Sequence, residues 1–108
     1  MATFNLRFII DAEQDLDEID AFLTDNDSLE AADAVLDKIS AACASLAEMP
    51  HRGRYTPEML LTGVQTYREI HSGPYRIIYE VRGEAVYVHA VLDSRRDLGD
   101  LLLARLVR

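Results

Sequence analysis

Between Val64 and Leu92 the chain offers three runs rich in β-branched and aromatic residues, separated only by Ser72-Gly-Pro74 and by Gly83. Breaks this short leave room for nothing but hairpins, so the runs must be antiparallel neighbours. The expected strands are Val64 to His71, Tyr75 to Arg82 and Ala85 to Leu92. In the middle one Tyr75, Ile77, Tyr79 and Val81 recur with period two, the signature of a face turned to a core. The opposite face holds Arg76, Ile78, Glu80 and Arg82. Arg68 is expected there too, with this side of the sheet partly free.

The first half supplies the covering layer. Phe4, Leu6, Phe8 and Ile10 alternate within an expected strand from Thr3 to Ile10. Asp11 is the expected N-cap of a helix running to about Thr24, with Ala12, Leu16, Ile19 and Leu23 on one face and Phe22 beside them. Asp25-Asn-Asp27 breaks it, and Ser28 or Asp27 can cap the next helix. There Leu29, Ala32, Leu36, Ile39, Cys43 and Leu46 repeat at spacings of three and four, ending before Pro50. Met49 to Thr62 reads as a loop, in which Pro57 interrupts pairing. Leu98 to Val107 reads as a short amphipathic tail helix. The order strand, helix, helix, three-stranded antiparallel meander, short C-terminal helix defines an α+β two-layer sandwich. Residues 1–108 are expected to form one domain.

Apolar residues are 49% and charged residues 28% of the 108, an ordinary composition for a globular chain with one core. No apolar run approaches the ~20 residues of a membrane span. The first residues lack the basic and apolar regions of a signal peptide. One cysteine, Cys43, excludes an internal disulfide and a zinc cluster. Among alanines in a helical pattern it reads as a small buried hydrophobe rather than a reactive thiol. No cofactor or metal is expected, and the expected compartment is the cytoplasm. The net charge of −8 is uneven. Residues 1–48 hold 12 acids against 2 bases, Arg7 and Lys38, whereas residues 49–108 hold 7 acids against 9 bases. So acidic a chain is a poor general phosphate binder.

The familiar catalytic patterns are absent: no phosphate-binding glycine loop, no HExxH, no GxSxG. His51, His71 and His89 are scattered without metal-ligand spacing and read as surface or half-exposed strand residues. The carboxylate pairs of the first helix, such as Asp11 with Asp15, read as a solvated face. The arginines remain as candidates. Arg52 and Arg54 lie in the loop, Arg68 and Arg76 in adjacent strands, and Arg95 and Arg96 where the last strand meets the tail. Arg68 and Arg76 flank one turn nearly symmetrically, so the hairpin is expected to bring them close. With Tyr75 they form a candidate functional surface able to hold phosphates. The acids Glu69, Glu80, Asp93 and Asp97 alternate with them closely enough to pair with most.

Taken together, Pro50-His-Arg-Gly-Arg54, Gly63-Val, Arg68-Glu-Ile, Gly73-Pro-Tyr-Arg-Ile-Ile-Tyr79 and Val91-Leu-Asp-Ser-Arg-Arg-Asp-Leu98 resemble the RelE/ParE superfamily of toxins from type II toxin–antitoxin modules. The resemblance covers the whole chain and matches its element order. It implies a small cytoplasmic toxin held by a cognate antitoxin in a hetero-oligomer. RelE-like members cleave mRNA on the ribosome, whereas ParE-like members poison DNA gyrase without known hydrolytic chemistry. In the RelE pattern, arginines matching Arg76 and Arg96 assist cleavage, helped by loop lysines and a tail Tyr or His. This chain keeps both arginines. Its loop has Arg52 and Arg54 but no lysine, its tail has neither Tyr nor His, and Asp93 sits near the position where many relatives carry His. With its acidic charge, this favours a ParE-like toxin that is not an enzyme. The alternatives are a RelE-like, ribosome-dependent mRNA endonuclease and a non-toxic relative that only binds a protein partner.

Overall fold

The computed structural model describes residues 3–107; residues 1, 2 and 108, counted in the one expected domain, lie outside the described residues. In chain order the elements are β1 (Asn5–Phe8), α1 (Ile10–Asn26), α2 (Leu29–Ser45), β2 (Arg54–Tyr55), α3 (Pro57–Leu60), β3 (Tyr67–Ser72), β4 (Tyr75–Arg82), β5 (Ala85–Asp93) and α4 (Gly99–Leu106). The strands form one sheet in the order β1-β5-β4-β3-β2. The expected meander is its centre, and β1 adds to β5 in parallel.

Helices α1 and α2 cover one face of the sheet. Ala12, Ile39, Cys43 and Leu46 pack there against Ile70, Tyr75, Ile77, Tyr79, Val86, Val88 and Val91, so the period-two face of the middle strand is indeed the core face. Burial pushes the Cys43 thiol up to about 11, which leaves it protonated and unreactive at neutral pH. Ser28 caps α2 by accepting the Ala31 N–H at 3.0 Å. The start of α1 differs from expectation. Ile9 still donates its N–H to Val88 of β5 at 3.1 Å, and its carbonyl already accepts from Ala12 and Glu13. The strand therefore turns directly into the helix, and Asp11 sits in the first turn, where its charge complements the dipole.

The expected loop Met49 to Thr62 contains two elements. Arg54 and Tyr55 pair with Glu69 and Arg68 of β3. The pairing stops before Pro57, as expected, and Pro57 also opens α3 at its first position, where a missing N–H costs nothing. Val64 folds back onto α3, its N–H bonded to the Met59 carbonyl at 2.9 Å, so β3 starts at Tyr67 rather than Val64. The second sheet face, expected to be partly free, is covered by α3 and α4. Met59, Leu98, Leu102 and Leu106 pack there on Ile78, Ala90 and Leu92.

Two register features decide which side chains share a face. The β3–β4 hairpin pairs Ser72 with Tyr75, His71 with Arg76 and Arg68 with Tyr79. Arg68 therefore lies on the side of Tyr79 and the helical hairpin, and Arg76 on the other, so the expected approach of these two arginines does not occur. Between β4 and β5 the register slips at Ile78 and Tyr79, whose partners are Ala90 and Val88. This bulge at His89 changes the phase of β5. Val86 and Val88 enter the first core, while Ala90 and Leu92 enter the second.

Candidate functional site

The seven candidate residues separate into two places. Arg52, Arg54, Arg68 and Arg76 lie around the β2–β3 edge. Tyr75, Arg95 and Arg96 lie beside α1, where β4 begins and β5 ends.

At the first place the guanidinium groups are engaged. Arg52 donates to Ser45 Oγ at the end of α2, at 3.1 Å from Nε and 2.9 Å from Nη2. Arg68 donates to the Gly53 carbonyl at 2.9 Å and to the Tyr55 hydroxyl at 3.0 Å, and its guanidinium stacks on the Tyr55 ring at 4.3 Å. Arg52 thus pins the loop to α2, and Arg68 pins it to the sheet. Arg76 is 8% exposed. It grips Glu58 of α3 with two bonds of 2.8 and 2.7 Å and Glu69 of β3 with one of 2.5 Å. Glu69, with its side chain fully buried, also receives Arg54 at 3.0 Å and lies 2.8 Å from His71 Nε2. Two acids hold Arg76 on both sides, which leaves its charge matched inside the protein rather than presented to a phosphate.

This network has a pH signature. Burial alone would raise the Glu69 carboxyl, but hydrogen bonds from Arg76, His71 and Arg54 outweigh it and hold the group below its ordinary 4.5. The Arg76 hydrogen bond does the same for Glu58. A carboxyl that titrates lower when folded binds protons more readily in the unfolded chain, so its stabilisation is complete above pH 4.5 and is lost as pH falls through the folded value. Thermal melts from pH 7 to 3 should show a midpoint that holds down to about pH 5 and then falls steadily. A midpoint rising on acidification would contradict the pairing.

The other expected pairings hold in part. Arg82 binds Glu80 at 3.0 Å and Arg95 binds Asp93 at 2.6 Å; the Arg95 hydrogen bonds draw the Asp93 carboxyl down to about 2. Asp97 instead accepts the Gly99 N–H at 3.3 Å, ahead of α4. His89 lies 3.0 Å from Glu80, with its ring edge-on to Tyr67. Among the described residues no group of three or more His, Cys, Asp or Glu side chains is placed to hold a metal ion.

The second place is a groove. Tyr75 and Arg76 are consecutive in β4 and point to opposite faces; Tyr75 points toward α1. Between α1 and the end of β5 runs a groove of about 380 Å³, walled by Ile19 and Phe22 on one side and Val91 and Leu92 on the other, with Asp15, Glu18, Asp93 and Arg96 at its margins and Tyr75 at its floor. It adjoins a second hollow of about 240 Å³ under the β3–β4 turn, lined by Leu23, Val35, Pro74 and the same Tyr75, with Lys38 and Arg95 beside it. Phe22 is 63% exposed, although it is a large aromatic ring, one turn before the end of α1. Arg95 and Arg96 are exposed at the rim.

The contribution of α1 to the groove escaped the sequence reading. The available signal was Phe22 itself, a bulky apolar residue standing beside the stripe of Leu16, Ile19 and Leu23. Asp15 is expected on a solvated face. It is instead 8% exposed, because Arg105 of α4 reaches it with two bonds of 3.0 Å.

A small α+β protein results, with a mixed five-stranded sheet, a helical hairpin, internally matched arginines and an open apolar groove. The family model for the ParE toxin of type II toxin–antitoxin system, parDE, matches residues 6–98, and the chain belongs to that family. Among solved structures, a chain from the chromosomal ParDE toxin–antitoxin system of P. aeruginosa has the same fold. It is similar at a TM-score of 0.71 over 86% of this chain and 98% of its own length, with 18% sequence identity. A comparison with curated proteins returns no match. No helix among the described residues is long and apolar enough to cross a membrane.

Proposed function

We propose that this ParE-family toxin acts in the cytoplasm as one domain, inhibits DNA gyrase by protein–protein contact, and is neutralised by a cognate antitoxin seated in the Phe22 groove. The observation that carries this reading is the state of Arg76. A ribosome-dependent nuclease of the RelE kind needs that guanidinium free to meet a phosphate, and here Glu58 and Glu69 occupy it. Arg96 alone, without a tail Tyr or His, offers no partner for proton transfer. The groove fits an antitoxin segment because it combines apolar walls of Ile19, Phe22 and Val91 with the exposed guanidinium of Arg96 at its margin, while Arg95, paired with Asp93, stands beside the adjoining hollow. Tyr75, Arg95 and Arg96 are thus proposed as partner-facing, and Arg52, Arg54, Arg68 and Arg76 as residues that hold the loop and sheet in shape.

Induction of the chain alone should arrest growth, and a small neighbouring open reading frame should relieve it. Purified protein should block supercoiling by gyrase in vitro. If supercoiling proceeds while mRNA is cut on ribosomes, the gyrase target is wrong and the RelE-like chemistry replaces it; harmless expression removes both. Phe22→Glu should preserve the fold and the growth arrest, since a surface change away from packing costs within about 0.5 kcal/mol. The same change should abolish rescue by the antitoxin, read by co-purification. Undiminished co-purification would move the antitoxin off this groove.

A further inference from the structure

The wall of the groove is tied to the far side of the sheet chiefly through the carboxylate of Asp15, with Asp11 one turn earlier in α1 adding a looser contact of 3.8 Å to the same arginine, Arg105. Strand β1 accompanies β5 only as far as Phe8 opposite Val88, and just beyond it the bulge disturbs the ladder. Two side chains take over the edge. Asp15 of α1 accepts the Val91 N–H through Oδ2 at 3.0 Å, and Arg105 of α4 donates to the His89 carbonyl at 2.8 Å. Asp15 and Arg105 then bind each other in parallel through both oxygens and both terminal nitrogens. Because α1 and α4 lie on opposite faces, the pair wraps the edge of β5 like a clip. Asp15 and Val91 also line the groove.

Apart from this pair, helix α4 is held by its apolar side in the second core. It has eight residues, starts at Gly99 and lacks a side-chain N-cap; alone it is too short to persist in water. Leu102 and Leu106 bury against the sheet, and the Tyr67 hydroxyl donates to the Leu106 carbonyl at 3.0 Å.

We propose that the Asp15–Arg105 clip makes the groove and the tail helix one cooperative unit. A partner seated in the groove holds α4 down, and undocking of α4 loosens the groove wall and weakens the partner's grip. The partner half of this statement rests on the groove being the antitoxin's seat. The direction follows from solvent exclusion: covering the groove side of Asp15 removes water from an ion pair already nearly buried, which strengthens it. Reciprocity then requires the tail to favour the groove by the same factor.

Amide hydrogen exchange on the full chain, without any partner, tests the coupling. In Arg105→Gln the amides of α4, of Val91 and of α1 near Ile19 and Phe22 should exchange faster together, on the order of tenfold, while those of Ile77 and Tyr79 in β4 stay unchanged. If α4 loosens and Val91 and α1 keep wild-type protection, the coupling is absent. If every amide accelerates equally, the pair is only a contributor to overall stability, and the proposal also fails. Should Arg105→Gln not fold, Leu102→Ala loosens α4 without touching the ion pair and is read in the same way. Because no antitoxin is present, failure here leaves the assignment of the groove standing, and that assignment is tested separately by Phe22→Glu.

Discussion

Arg76→Ala should lower stability by about 3–5 kcal/mol, the usual result of stripping one member from a buried ion network. The loss falls on Glu69, whose side chain is fully buried and which would keep only Arg54, mostly solvent-exposed, and His71. Glu58 would lose its partner as well, and with it the tie between α3 and β4. For a domain whose total stability is about 5–15 kcal/mol, the melting temperature should drop on the order of 10–20 °C. Growth arrest would weaken in step with the amount of folded protein. A variant that melts like wild type yet has lost toxicity would overturn this and return Arg76 to the functional surface.

The second large effect is expected at Gly53. A Cβ there would stand 2.6 Å from the Glu69 carbonyl oxygen and 2.6 Å from the Tyr79 hydroxyl. Neither can retreat. The carbonyl belongs to the backbone of β3, and Tyr79 is fully buried, with its hydroxyl accepting the Gly53 N–H at 3.0 Å and donating to the Pro50 carbonyl at 2.7 Å. Gly53→Ala must therefore push the loop off the sheet, combining overpacking with the loss of two buried hydrogen bonds, about 3–5 kcal/mol in all. Gly83→Ala is the control. Its added Cβ meets nothing within 4 Å, but its φ of +60° strains any L side chain, a cost of about 1–2 kcal/mol. Equal denaturation midpoints for the two variants would show that the Gly53 contact is not tight.

How much of this the sequence disclosed follows from periodicity. The meander and the helical hairpin repeat their apolar residues over enough turns to be read, and the cap of α2 is narrowed to Ser28 or Asp27, of which Ser28 makes the bond. Strand β2 has two residues and α3 has four, too few for any period to show, so their segment looked like a loop. The misplaced arginines have a sharper cause. Reading Ser72-Gly-Pro74 as a three-residue turn puts Arg68 and Arg76 on one face. The hairpin closes on two residues, with Ser72 opposite Tyr75 and Gly73 at a φ of +56°. One residue of turn length reverses the side of every residue in β3. The groove was hidden for another reason: it joins α1 to the end of β5, and such a meeting of distant segments leaves no local pattern beyond the odd position of Phe22.

The single extra residue at His89 acts as a phase marker for the end of the chain. Upstream of it β5 keeps time with the helical hairpin; downstream Ala90 and Leu92 keep time with the tail. A deletion at this point would leave the composition almost untouched, yet it would turn Leu92 toward α1, turn Val91 toward α4, and remove the carbonyl on which Arg105 rests. Substitutions in β5 can thus be absorbed one core at a time, whereas a one-residue change in its length disturbs both cores together.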